Sequence, residues 1–226
     1  MENTFLDQVH GKLIISCQAL EGEPLHSSFI MARMARAAKM AGAPAIRANS
    51  IVDIQAIQDE TGLPIIGIIK KDYPDSDVYI TPTLKEMRQV AATGVEVVAC
   101  QVTGQARPNG EKLEEIIPQE FPNTLLMADT GDLNDVKEAN RLGFDIIGTT
   151  MHGYTPTTKG MNIADNDFEY LKEVLKVAEH PVIAEGKIDL PQKAKRVLEL
   201  GVHALVVGGA ITRPLEIANK FMDAIK

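Results

Sequence analysis

Lys70 closes the apolar run Ile65-Ile66-Gly67-Ile68-Ile69. A lysine at the tip of a buried strand is partly desolvated. Its pKa is drawn down from about 10.4, and the amine is freed to act as a base. The plainer alternative is a structural ion pair with Glu185 or Asp129. Both carboxylates end apolar runs of their own, as do Arg47 and Gln18. Burying several unpaired charges at the ends of apolar strands is costly without a task, so jointly these positions point to acid–base chemistry. A second feature is Val207-Gly208-Gly209-Ala210-Ile211-Thr212-Arg213-Pro214, a glycine pair after the last apolar run, with Pro214 suited to a first helical turn. The glycine turn, the helix start and Arg213 together make an anion site, with Glu185-Gly186 as the other half of the cradle. A glycine turn needed only for tight packing is the competing reading.

Five histidines are present, and only His152 falls at the end of an apolar run. The clusters of His with Asp or Glu that a metal site needs are missing, so no metal is expected. The chain also lacks G-x-S-x-G, G-x-x-x-x-G-K-[ST] and G-x-G-x-x-G, the usual signatures of serine hydrolases, P-loop enzymes and dinucleotide folds.

The elements that must position these groups recur as a unit: a short apolar run, a polar turn, a helical stretch. The β-type runs are Leu13–Ser16, Ala45–Arg47, Ile65–Ile69, Val95–Cys100, Thr124–Ala128, Asp145–Thr149, Val182–Ala184 and Ala204–Val207. They are not cleanly alternating, as expected for strands covered on both faces. Helical patterns follow at Phe29–Met40, Ser50–Thr61, Thr83–Ala92, Asp132–Leu142, Asp167–Val177, Pro191–Leu200 and Pro214–Ile225, with a weaker one, broken by Pro118, at Glu111–Glu120. Ser50 reads as an N-cap, and Thr83 with Glu86 as a capping box. Eight strand–helix pairs imply a parallel sheet. The expectation is an α/β (β/α)8 TIM barrel formed by residues 1–226 as a single domain, with a doubly wound open sheet as the competing architecture. In such a barrel the site forms where the strands end, which is where the ionisable residues lie.

Composition bounds the partners. The 226 residues carry 23 Lys plus Arg against 31 Asp plus Glu, a net charge of −8. That balance argues against nucleic acid and anionic membranes, yet leaves room for an anionic small molecule. No apolar stretch of membrane-spanning length and no signal peptide is evident, and Cys17 and Cys100 sit in apolar runs. A cytoplasmic protein with buried free thiols is the expectation.

The motifs Ser16-Cys17-Gln18-Ala19-Leu20, Ile46-Arg47-Ala48-Asn49, Ile66–Tyr73, Tyr79-Ile80-Thr81-Pro82-Thr83, Met127-Ala128-Asp129, Gly148-Thr149-Thr150, Gly153-Tyr154-Thr155, Ala184-Glu185-Gly186 and Val206–Pro214 together resemble the N-acetylmannosamine-6-phosphate 2-epimerase family. The resemblance runs from about Leu13 to Phe221. It implies an isomerase of amino-sugar and sialic-acid breakdown that interconverts N-acetyl-D-mannosamine 6-phosphate and N-acetyl-D-glucosamine 6-phosphate without a cofactor, as a homodimer. Carried over by position, it makes Lys70 the catalytic lysine and Glu185 the glutamate facing it. Gln18, Arg47 and Asp129 would surround the reacting end of the substrate. Gly186, Gly208, Gly209 and Arg213 would hold the phosphate, and Thr150 and Tyr154 would line the sugar. One departure stands out: the family's usual Asp-Ala-Thr is here Gln101-Val102-Thr103. Another phosphosugar barrel enzyme (a pentulose-phosphate epimerase or a decarboxylase) and a sugar-phosphate-sensing relative with weak activity are the alternatives. The apolar stripe Ile217, Phe221, Met222, Ile225 is expected to pack on its own barrel, a dimer contact being the second possibility.

Overall fold

A computed structural model describes residues 4–117, 121 and 123–226. Its strands are β1 (Leu13–Cys17), β2 (Ile46–Asn49), β3 (Ile65–Ile68), β4 (Val97–Gln101), β5 (Leu125–Asp129), β6 (Ile146–Gly148), β7 (Val182–Ala184) and β8 (Ala204–Val207). They pair in parallel, each with its sequence neighbour. β8 returns to β1 through Leu13–Leu205, Ile14–Val206 and Ile15–Val207, which closes the expected barrel. The helices are α1 (Thr4–Val9), α2 (Ser28–Met40), α3 (Ile51–Thr61), α4 (Leu84–Ala91), α5 (Leu113–Ile116), α6 (Leu133–Leu142), α7 (Asp165–Val177), α8 (Pro191–Glu199), α9 (Gly209–Thr212) and α10 (Pro214–Ala224). The Pro118 interruption lies outside the described residues.

Period-two strands divide the apolar side chains between two cores. Ile14, Ile66, Val97, Met127, Ile183 and Val206 fill the barrel, and Phe5 and Val9 of α1 join that cluster. Ile15, Ile65, Val98, Leu126, Ile147 and Leu205 point the other way, into a layer shared with Ile54, Met87, Val136, Leu171 and Val197 of the helices.

Two strand starts depart from the expected ones for a common reason. β4 begins at Val97 because Glu96 turns its carboxylate aside to accept the Ile65 N–H at 2.8 Å. β6 begins at Ile146 because Asp145 does the same for the Leu126 N–H, also at 2.8 Å. Ser50 caps α3 as expected, accepting the Asp53 N–H at 3.2 Å. Thr83 does not cap α4: its hydroxyl donates to the buried Glu86 carboxylate instead. The reciprocal capping box belongs to α6, between Asp132 and Asp135. The final helix also departs from expectation. α10 has no buried residue, and Phe221 and Ile225 are 72% and 79% exposed. Its stripe joins neither apolar core, and the element packed against α10 is the single turn α9 rather than a strand.

Candidate active site

Strand phase decides which side chains face the open end. Ile14, Ala45, Ile68, Met127, Ile146, Ile183 and Val206 belong to the barrel interior. Counting on in twos reaches Ser16 and Gln18, Arg47, Lys70, Asp129, Thr150, Glu185 and Gly208. All of these except Asp129 line one cavity of about 620 Å³, together with Tyr154, Gly186, Gly209 and Arg213. That volume is in the range that holds a small ligand.

The floor is an ion-pair network. Arg47 and Asp129 are 1% and 0% exposed and meet as a fork, with Nη1 to Oδ1 at 3.0 Å and Nη2 to Oδ2 at 2.6 Å. Arg47 Nη1 also lies 3.1 Å from Glu185 Oε2. Thr150 donates its hydroxyl to Asp129 Oδ1 at 2.6 Å and stands 3.4 Å from Glu185 Oε2. Burial works against the Arg47 charge, but Asp129 and Glu185 outweigh it and raise its pKa. Burial pushes the Glu185 pKa up, with Arg47 opposing, so this carboxyl is easier to protonate than a free glutamate. Asp129 thus lies beneath the cavity, where it holds Arg47 and Thr150 in place. The Thr149 hydroxyl donates to the Glu185 carbonyl at 2.8 Å and accepts the Glu185 N–H at 3.0 Å, which fixes the backbone from which Glu185 projects.

Lys70 sits differently. Its backbone N–H donates to Asn49 Oδ1 at 2.7 Å, and its backbone bridges to Ile80. Its ammonium lines the cavity and, among the described residues, has no hydrogen-bond or ion-pair partner. The carboxylates of the ion-pair alternative, Asp129 and Glu185, are instead engaged by Arg47. Burial, then repulsion from Arg47 and Arg213, lowers the Lys70 pKa from 10.5 to about 8, against a smaller pull from Glu185 and Asp129. An appreciable share of neutral amine near neutral pH follows. Gln18 donates Nε2 to Ser16 Oγ at 2.7 Å, and its buried Oε1 has no partner among the described residues, which leaves an acceptor beside the cavity.

The other end of the cavity is built from the last two strands. Gly186 adopts φ +109°, a conformation that side chains rarely take, and this lets the chain turn directly after Glu185. Gly208 caps and Gly209 opens α9, whose Thr212 hydroxyl donates to the Ser16 carbonyl at 2.6 Å and so ties the turn to β1. The helix following the glycines is thus the single turn α9, with Pro214 opening α10 beyond it. Arg213 reaches the cavity but is engaged by Glu216 at 2.7 Å and by Glu23 at 3.3 Å. These are partly exposed pairs, which contribute little and which a doubly charged anion can displace.

Motif and run-end reading did not single out Tyr79, Asn162, Lys187, Asp189, Glu216 and Lys220 as site residues, although all line the cavity. Tyr79, whose pKa burial raises to about 12, arrives on a segment folded back over β3, and its signal was the Tyr79–Thr83 motif. Lys187 donates to the Met161 carbonyl at 2.7 Å and lies over the Tyr154 ring, so it ties down the segment after β6. His152 turns from the cavity, stacking on Tyr170 with its Nδ1 2.9 Å from the Gly131 carbonyl. Among the described residues no three His, Cys, Asp or Glu side chains stand where they could hold a metal.

Residues 31–226 match the family described as "Putative N-acetylmannosamine-6-phosphate epimerase". Two relatives named "Putative N-acetylmannosamine-6-phosphate 2-epimerase" match over the full length of both chains. One, from Pediococcus pentosaceus, is 75% identical and the other, from Lactiplantibacillus plantarum, 72%. The solved structure of the N-acetylmannosamine-6-phosphate 2-epimerase from Clostridium perfringens superposes with a TM-score of 0.93 at 50% identity, over 97% of this chain and 96% of that one. Thiamine phosphate pyrophosphorylase from Pyrococcus furiosus, at 16% identity and a TM-score of 0.60, shares the fold alone.

Proposed function

The chain belongs to the N-acetylmannosamine-6-phosphate epimerase family, and we propose that it interconverts N-acetyl-D-mannosamine 6-phosphate and N-acetyl-D-glucosamine 6-phosphate by moving a proton at carbon 2. A carbon-2 proton becomes acidic only beside an open-chain aldehyde. The ring must therefore open, the proton must leave, and an enolate must be stabilised before a proton returns to the opposite face. Lys70 takes the proton. Glu185, with its raised pKa, carries a proton for ring opening or for return to the other face. Arg47 stands where negative charge develops, pinned by Asp129. Gln18 offers its free oxygen to the substrate's amide N–H, and Thr150 and Tyr154 line the sugar. Gly186, Gly208, Gly209 and Arg213 grip the phosphate, whose binding energy fixes the reacting carbon.

The observation that carries this reading is the unpaired Lys70 amine in one cavity with both the Arg47–Glu185 pair and the glycine turn with Arg213. The test is turnover of N-acetylmannosamine 6-phosphate by the purified chain. Arg213→Ala should raise KM for that substrate by about tenfold or more, the loss of a charge-assisted pair. It should leave the unphosphorylated sugar unaffected. An equal effect on both sugars removes Arg213 as the anchor, and no turnover removes the reaction.

The same reading places the enzyme in amino-sugar breakdown, including that of sialic acid, in the cytoplasm. Two buried free thiols are in keeping with a reducing compartment, and no helix of the described residues is long and apolar enough to cross a membrane. A second copy of the chain covers the apolar face of α10, giving a homodimer. The support is Leu215, Phe221 and Met222 of α10 and Ile225 directly after it, all more than half exposed.

A further inference from the structure

Hydrogen bonds between β3 and β4 stop early. Their residue pairs are Ile66–Val97 and Gly67–Val98, and beyond these the strands part. A returning segment fills the gap. Ile80 bridges the Lys70 backbone, the Lys71 N–H donates to the Tyr79 carbonyl at 2.9 Å, and the Thr81 N–H donates to the Ile69 carbonyl at 2.7 Å. On its other side this segment is held chiefly by Gln101. Gln101, 1% exposed at the end of β4, accepts the N–H groups of Tyr79 at 3.0 Å and Ile80 at 3.4 Å on Oε1. Its Nε2 donates to Thr103 Oγ1 at 3.0 Å, and its backbone N–H donates to the Ile80 carbonyl at 3.0 Å. Arg107 completes the grip, donating to the carbonyls of Gln101 at 2.6 Å and Thr81 at 3.0 Å. Ile80 is thus held between Lys70 and Gln101, and Gln101 itself does not line the cavity.

We propose that Gln101 is a positioning residue for this reaction: its amide clips the Tyr79–Ile80 segment against β4 and so fixes the backbone from which Lys70 reaches the substrate. The inference rests on the reading of Lys70 as the proton carrier. The side chain suits the task. One oxygen faces two converging N–H donors, and the amide nitrogen has its own acceptor, so each polar atom of this neutral clip has a partner. Released, the segment loosens at Lys70 and Tyr79 together. A reacting group displaced by about 1 Å loses on the order of 10²-fold in rate.

Gln101→Met keeps the shape and deletes every side-chain bond. Gln101→Glu keeps the oxygen that accepts both N–H groups. The expected result for Gln101→Met is a kcat about 10- to 100-fold lower, with KM for N-acetylmannosamine 6-phosphate unchanged within about threefold. Gln101→Glu should recover most of kcat. Wild-type kcat in Gln101→Met overturns the proposal, as does a joint loss in kcat and KM that Gln101→Glu does not repair. Should Gln101→Met fail to fold, Gln101→Asn carries the test. Its arm is one methylene short of the Tyr79 and Ile80 N–H groups, so it should lose kcat in the same way, and wild-type kcat there overturns the clip. Lys70→Ala is the control that separates the two readings. If it retains turnover, the role of Lys70 falls. If it is inactive while Gln101→Met is unimpaired, only the clip falls.

Discussion

An amine with no ion-pair partner among the described residues, walled in beside two guanidiniums, burdens the fold that holds it. Lys70 has a pKa of about 8 in the folded chain against 10.5 ordinarily. The folded state therefore binds this proton less tightly than the unfolded one. The destabilisation is fully present below about pH 8 and is relieved as pH rises from about 8 to 10.5. Lys70→Met should accordingly raise stability at pH 7 by up to about 3 kcal/mol, at about 1.4 kcal/mol per unit, while abolishing turnover. Denaturant unfolding checks the sign. In the native chain, kcat/KM for the direction in which Lys70 accepts the proton should climb through about pH 8. Lys70, Arg47, Asp129 and Glu185 were legible in the sequence because each ends an apolar run, and strand phase does the rest. Tyr79 and Glu216 were not, since they reach the cavity from a folded-back segment and from a helix, where periodicity says nothing about direction.

Eight short strands carry the site, and acidic side chains trim their ends. Glu96 satisfies the first N–H of β3 and Asp145 the second N–H of β5, so expected strands one or two residues longer give way to side-chain bonds. Composition favours either outcome at such a position, and only the neighbour's free N–H decides it. Helix starts show the same ambiguity. Thr83 with Glu86 and Asp132 with Asp135 have the same capping spacing, yet only the second pair caps its helix: Asp132 accepts the N–H groups of Asn134 at 2.8 Å and Asp135 at 3.1 Å, and Asp135 accepts the Asp132 N–H at 3.0 Å. Glu86 is claimed by the Tyr73 hydroxyl and the Lys71 ammonium as well as by Thr83, which draws that pair away from its helix. Asp132→Ala should cost about 1 kcal/mol, which at this size is about 2–4 °C in Tm, without lowering kcat. A thermal scan paired with the epimerase assay measures both, and an unchanged Tm would mean that the cap is idle.

The closed barrel was legible because eight strand–helix units in a chain of this length leave few ways to bury both strand faces. The place of the last helix was not. An apolar stripe announces a covered face without saying what covers it, and α10 presents that stripe outward. Light scattering should return about twice the 24.6 kDa chain mass, and Phe221→Glu with Ile225→Lys should return a single copy. A native monomer would leave α10 without the partner proposed for it. For the chemistry itself, the decisive reading is hydrogen exchange at carbon 2. N-acetylmannosamine 6-phosphate turned over in deuterium oxide should gain one deuterium at carbon 2, and Lys70→Ala should slow that exchange by about 10³-fold or more while still binding the sugar phosphate. Exchange at the native rate in Lys70→Ala, or full interconversion with no deuterium gained, would contradict the account.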